Sequence, residues 1–259
     1  MDSSKLTFQE QRRYKRHIML PEIGEAGQIK LKAGRALIIG AGGLGAPILE
    51  YLVAAGVGTI GIMDDDVIDE SNLQRQVLYE VKDIGKLKAI VASQRLHAQN
   101  PLVTINVLNT RFSIKNALDI AEKYDVLVDA SDNYATRYLL SDVSILLNIP
   151  FVYGSIYQFQ GQLSVFNYND GPSYRCLYPE PPKRDEAPDP SDIGILGVLP
   201  GIIGCMQANE VIKILAGFGE VLSGKMFIFN SLNLSFYNLE IKKNPENFKI
   251  QELGDYDRF

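Results

Sequence analysis

Between residues 40 and 133 this chain sets out a glycine cluster, a run of acids, an arginine, lysines and a further acid. Together these residue types can seat a nucleotide and manage its phosphates. In Gly40-Ala41-Gly42-Gly43-Leu44-Gly45 the side chains at Gly40, Gly42 and Gly43 are absent, so a phosphate can approach bare backbone at a helix N-terminus. Asp64 lies 19 residues beyond Gly45, where an acid accepts the ribose hydroxyls, and Asp66 extends the acidic run. The polar segment Ser71-Asn72-Leu73-Gln74-Arg75-Gln76 follows, in which Arg75 offers a planar fork for phosphate oxygens. Lys86 and Lys88 can place compact charges on the same phosphates, and Asp132, beside Asn133, suits a Mg²⁺ ligand. Each residue also has a plainer role: a tight turn, a solvated strand-end acid, a polar helix face, or the helix cap in Ser131-Asp132-Asn133. The combination is what points to phosphate chemistry.

The pattern around these residues predicts the elements that hold them. Residues 35–39 read as a buried strand, 46–55 as a helix starting at the glycines, and 59–63 as a second strand, making a βαβ unit. Helices are expected at 5–20, 25–33, 86–99, 114–124 and 134–147, and strands at 103–107, 125–130 and 151–153. This alternation predicts an α/β, Rossmann-like fold, with a mostly parallel sheet and helices on both faces. Beyond it, 162–168 reads as a half-exposed strand, 201–215 as a helix, and 226–230 with 234–241 as an antiparallel pair. We expect one domain: an N-terminal helical arm (1–34), a nucleotide-binding core (35–170), a mobile proline-rich loop (179–195) and a C-terminal helix with strands (196–259).

With 259 residues, 46% of them hydrophobic, the chain can bury a full core. A formal net charge of -5 argues against nucleic acid as the main partner. The apolar run 193–206, broken by glycines and Pro200, is shorter than the ~20 residues of a membrane helix, and the first residues are polar. A soluble cytoplasmic protein without a membrane partner is expected. The two cysteines, Cys176 and Cys205, are far apart; Cys205 is expected in the core.

The chain resembles the MoeB/ThiF/HesA family, bacterial relatives of ubiquitin-activating enzymes. The resemblance covers nearly the whole chain: Arg13-Tyr14-Lys15-Arg16-His17, the glycine loop, Ala55-Gly56-Val57-Gly58, Asp64-Asp65-Asp66, Ser71 to Gln76, Gly85 to Lys88, Ser131-Asp132-Asn133, Gly161-Gln162, Tyr174-Arg175-Cys176-Leu177 and Gly197 to Gly204. It implies binding of ATP·Mg²⁺ and of a ubiquitin-like sulfur-carrier protein ending in Gly-Gly, whose carboxylate is adenylated with release of pyrophosphate. It implies that Gly43 lies against the nucleotide and Asp64 holds the ribose. Asn72, Arg75 and Lys88 handle phosphates and Asp132 positions Mg²⁺, with Ser71, Leu73, Gln74 and Asn133 alongside. Arg16 resembles an arginine that reaches the neighbouring subunit's nucleotide, implying a homodimer. The carrier is expected to serve molybdopterin synthesis, with a thiamine-pathway carrier as the alternative.

Two departures accompany the resemblance. Relatives hold zinc through two Cys-x-x-Cys pairs; here the first reads Ser173 to Cys176, and the second is expected near Asn247 and Ile250, so no zinc is expected. Relatives that form a covalent intermediate carry a cysteine where Pro190 stands, so the reaction is expected to end at the acyl-adenylate. A NAD-dependent oxidoreductase would explain the glycines and Asp64 but leave Arg75, Lys88 and Asp132 without work. An inactive binding module would explain the lost cysteines.

Overall fold

The computed structural model describes residues 5–182 and 194–256. Its centre is the expected unit of β1 (Arg35–Ile39), α4 (Gly45–Ala55) and β2 (Thr59–Met63). Strand side chains alternate between faces, so Ala36 and Ile38 enter one core while Leu37 and Ile39 enter the other. Both faces are covered, which is why β1 is apolar without interruption after Arg35.

The remaining elements extend an eight-stranded sheet of order β3-β2-β1-β4-β5-β6-β7-β8. β3 (Thr104–Leu108), β4 (Val126–Asp129) and β5 (Phe151–Tyr157) continue the parallel half. β6 (Gln160–Phe166), β7 (Lys225–Asn230) and β8 (Ser235–Glu240) turn antiparallel. On one face pack α3 (Gly24–Ala33), α4, α5 (Lys88–Gln99) and α9 (Leu199–Ala216), through Leu31, Leu52, Leu96 and Ile203. The other carries α6 (Ala117–Ala121), α7 (Tyr134–Leu147) and α8 (Tyr174–Leu177), around Tyr138, Phe151 and Tyr174. Among the described residues no helix is long and apolar enough to cross a membrane.

Several boundaries differ from expectation for local reasons. The helix expected over 5–20 is split into α1 (Phe8–Arg13) and α2 (Lys15–Ile18). The break is at Tyr14, whose buried hydroxyl accepts a hydrogen bond from Asn100 Nδ2 at 2.9 Å. α5 starts at Lys88 because Leu87 is extended, with φ -66° and ψ 127°, and bridges to Val67. The helix expected over 114–124 shrinks to α6, since Asn116 turns the chain by accepting from the Ser113 N–H at 2.9 Å. β5 runs on to Tyr157 because it forms a hairpin with β6, and β6 is mostly buried rather than half-exposed because α9 lies across it. Of the expected mobile loop, residues 183–193, including Pro190, lie outside the described residues.

Candidate active site

A cavity of about 760 Å³ opens beyond the C-terminal ends of β1, β2, β4 and β5. This is where ligands bind in open α/β sheets. Gly40 makes the first turn into it with φ +103°, and a Cβ there would stand 2.4 Å from the Ala130 carbonyl oxygen. Gly42 and Gly43 face the cavity, and α4 begins beyond them with no side chain capping its N-terminus. Helix N-termini leave N–H groups without intrahelical partners and carry about half a positive charge, so this end suits a phosphate.

Asp64 ends β2 and is fixed by two backbone donors, the N–H of Ala41 at 2.7 Å and of Asp66 at 2.9 Å. Burial pushes its carboxyl above the usual carboxylate range, and those hydrogen bonds and nearby Lys88 oppose the rise. Tyr79 braces the glycine turn by donating from its hydroxyl to the Ala41 carbonyl at 2.7 Å. Lys88, with a side chain only 8% exposed, reaches Asp66 Oδ2 at 2.8 Å, whereas the Asp66 side chain is 67% exposed. Arg75 donates from Nη1 to the Ser71 carbonyl at 3.1 Å and lines the cavity.

Gly40, Gly42, Gly43, Asp64, Asp66, Arg75, Lys88, Asp132 and Asn133 therefore border one cavity. The Asn133 side chain caps α7, accepting from the Thr136 N–H at 2.9 Å, and Asp132 is left exposed at the rim. Ser71, Asn72, Leu73 and Gln74 are not in the lining. They build the turn that presents Arg75: Asp69 accepts from the Ser71 N–H at 2.8 Å, and Asn72 Oδ1 accepts from the Asp69 N–H at 3.2 Å. Leu73 packs on the core, and Gln74 abuts Gly197, where a Cβ would lie 2.5 Å from the Gln74 carbonyl oxygen. Arg16 is exposed on α2 and does not line the cavity.

Sequence reasoning missed part of this wall. Gln76, 4% exposed, lines the cavity with its Oε1 lacking a partner among the described residues. Arg137 lines the cavity and pairs with Asp129, which is fully buried behind the wall, with Nε to Oδ2 at 3.3 Å. Their signal was present: Arg137 and Asp142 are the only charged residues in the helical run 134–147. Tyr153, Tyr174 and Tyr178 complete the wall, and Gln162 Oε1 accepts from the hydroxyls of Tyr153 at 3.1 Å and Tyr178 at 3.2 Å.

The expected partners of the Ser173–Cys176 pair are corrected by three residues. Asn244 and Asn247, not Asn247 and Ile250, stand against Cys176. Its sulfur accepts from the N–H of Asn244 at 3.2 Å, the N–H of Ser173 at 3.4 Å and Asn247 Nδ2 at 3.5 Å. Burial alone would push this thiol up, but the hydrogen bonds outweigh it and hold Cys176 below the usual thiol range. Cys205 is half-buried rather than core, and burial pushes it up with Glu50 adding to the rise. Because the thiolate is the nucleophile, iodoacetamide near neutral pH is expected to label Cys176 before Cys205. Peptide mass spectrometry over a time course checks this, and equal labelling would contradict the hydrogen-bonded sulfur.

The ThiF family matches residues 14–249 of this sequence. The chain belongs to the ThiF family. Among relatives of this ThiF-family chain, the sulfur carrier protein adenylyltransferase of Thermus thermophilus is 44% identical over 264 residues, covering 98% of this chain and 97% of that protein. The probable adenylyltransferase/sulfurtransferase MoeZ of Mycobacterium tuberculosis is 46% identical over 262 residues, covering 99% of this chain and 67% of MoeZ. The SAMP-activating enzyme E1 of Haloferax volcanii is 44% identical over 91% of this chain and 86% of its own length. Among solved structures, E. coli MccB with ATP superposes with a TM-score of 0.76 at 21% identity, over 85% of this chain and 67% of MccB. That likeness supports the Rossmann-type fold of this ThiF-family protein.

Proposed function

We propose that this chain is an adenylyltransferase that uses ATP to activate the C-terminal glycine carboxylate of a ubiquitin-like sulfur-carrier protein. The observation that carries the reading is the meeting of Arg75, Lys88 and Asp132 with the glycine turn on a single cavity. The names of the relatives from T. thermophilus and H. volcanii support the same activity. In the reaction a carboxylate oxygen bonds to the α-phosphorus, and the bond from that phosphorus to the bridging oxygen breaks. Pyrophosphate leaves with the electron pair, and no proton need move. Two anions must be held together, and preorganised cations and backbone dipoles supply that. Arg75 and Lys88 take the phosphates, and Asp64 takes the ribose.

Asp132 fits a Mg²⁺ site: its exposed carboxylate makes no hydrogen bond among the described residues, and Mg²⁺ usually takes one or two carboxylates plus phosphates and water. The ion, when bound, adds charge neutralisation on the departing pyrophosphate. Ser173, Cys176, Asn244 and Asn247 supply one thiolate and do not fit a tetrahedral zinc. Arg16, exposed and outside its own cavity, has work if it serves a second copy, so we assign a homodimer.

The cavity also borders a surface suited to a protein. Tyr157 lines both the cavity and a smaller groove with Phe159 and Leu232. Beyond that groove every residue of β8 is exposed, Phe236 at 66%. Large exposed apolar patches mark protein contacts. Phe236→Asp is expected to raise KM for the carrier by about 10-fold or more while leaving the ATP dissociation constant unchanged. Steady-state kinetics and calorimetry separate the two effects.

The deciding experiment is ATP–pyrophosphate exchange with candidate carriers ending in Gly-Gly. Exchange that depends on a carrier supports the proposal, and the carrier preferred tells a molybdopterin from a thiamine role. Nicotinamide reduction without exchange would replace it with a dehydrogenase. Absence of both would leave a binding module.

A further inference from the structure

The cavity has two chemically different ends. β2 and β5 are separated by β1 and β4, three strand spacings, so the Asp64 end lies about 14 Å from the β5 end. The first end carries Asp64, Asp65, Asp66 and Lys88; the second is walled by Tyr153, Ser155, Tyr157, Gln162 and Tyr178. That second wall holds no acid and is mostly aromatic. Arg137 is the cation that reaches it, with its guanidinium carbon 5.6 Å from the ring centre of Tyr153 and 5.7 Å from that of Tyr134.

Arg137 is 9% exposed, yet its hydrogen bonding is incomplete. Nη2 donates to the Ser131 carbonyl at 3.3 Å. Nε stands 3.3 Å from Asp129 Oδ2, but neither atom has a hydrogen-bond partner among the described residues. Asp129 is meanwhile committed through Oδ1, which accepts from the N–H of Ser131 at 2.9 Å and its hydroxyl at 2.6 Å. A guanidinium has five N–H donors, so a buried one with this much unused capacity on a cavity wall is built for a further acceptor. Planar carboxylates match its fork best.

We propose that Arg137 binds the terminal carboxylate of the incoming protein tail, holding it at the β5 end beside the α-phosphate. The assignment rests on the adenylation reading above. It gives the second anion its own receptor, so Arg75 and Lys88 remain on the phosphates. The neutral wall beyond Arg137 suits an uncharged tail with small side chains, for which the carboxylate is the only charge to be recognised.

The test compares a carrier that supports exchange with the same carrier bearing a C-terminal carboxamide. Binding of each is measured beside α,β-methylene-ATP, which cannot react. Wild-type protein is expected to prefer the free acid by about 10-fold or more, and Arg137→Gln to bind both forms equally while its nucleotide affinity stays within about 2-fold. Arg137→Lys keeps the charge without the fork and is expected to retain part of the preference, which also covers the case in which the glutamine variant fails to fold. An acid preference that persists in Arg137→Gln or is undiminished in Arg137→Lys overturns the assignment. So does a collapse of nucleotide affinity together with the preference, which would put Arg137 on the phosphates. If the wild type exchanges with no carrier, the adenylation reading itself fails and the assignment falls with it.

Discussion

Lys88→Ala is expected to lower kcat for ATP–pyrophosphate exchange by roughly 10²–10³-fold, the usual cost of removing one preorganised donor from developing negative charge. The protein should nevertheless stay folded. Lys88 sits in the first turn of α5 with its side chain 8% exposed, so its charge acts at the cavity where solvent screening is weak. Its partner Asp66 is 67% exposed and stays hydrated when the lysine is removed, so no buried charge is orphaned. Alanine also favours the helix. A near-normal melting temperature with lost exchange is the expected pair of results. A loss below about 3-fold would remove Lys88 from the phosphates.

Gly40→Ala is expected to do the opposite damage, costing about 3–5 kcal/mol of stability. The residue sits at φ +103°, and its new Cβ would meet the Ala130 carbonyl oxygen at 2.4 Å and carbon at 2.8 Å. The obstacle is backbone just past the end of β4, in a central strand pair, so no side chain can swing aside. Gly42→Ala provides the contrast. Its nearest neighbour would be Gln76 Nε2 at 3.4 Å, an ordinary contact, so the variant should fold normally. The methyl group then stands in the cavity and weakens ATP binding. Urea unfolding measures the first effect and calorimetry the second. Equal stability of the two variants would contradict the described turn.

What could be read from the sequence follows what is local. The unit β1–α4–β2 was legible because apolar runs, glycines and a strand-end acid lie within about thirty residues and need no distant partner. Asp132 was legible because it follows the end of β4, where an α/β sheet presents its chemistry, Arg75 because its segment is polar and cationic, and Lys88 because it opens a helix after a glycine. Arg137 was not, because its meaning depends on Asp129 and Tyr153, which the fold brings to it across β4 and β5. The resemblance implies that Asn72 handles phosphates; in the fold its oxygen closes the turn on Asp69, a contact that local sequence does not announce. The pairing of Cys176 with Asn244 and Asn247 was misplaced by three residues because register between distant segments is set by packing.

The change from parallel to antiparallel pairing at β5–β6 divides labour within the sheet. The large cavity is lined from β1, β2, β5 and the segment after β4, with Gln162 of β6, while β7 and β8 hang from β6 and contribute nothing to its lining. Evolution can therefore rewrite the outer hairpin to greet a different protein without retuning the machinery that handles ATP. One adenylation engine is free to acquire new clients by surface change alone.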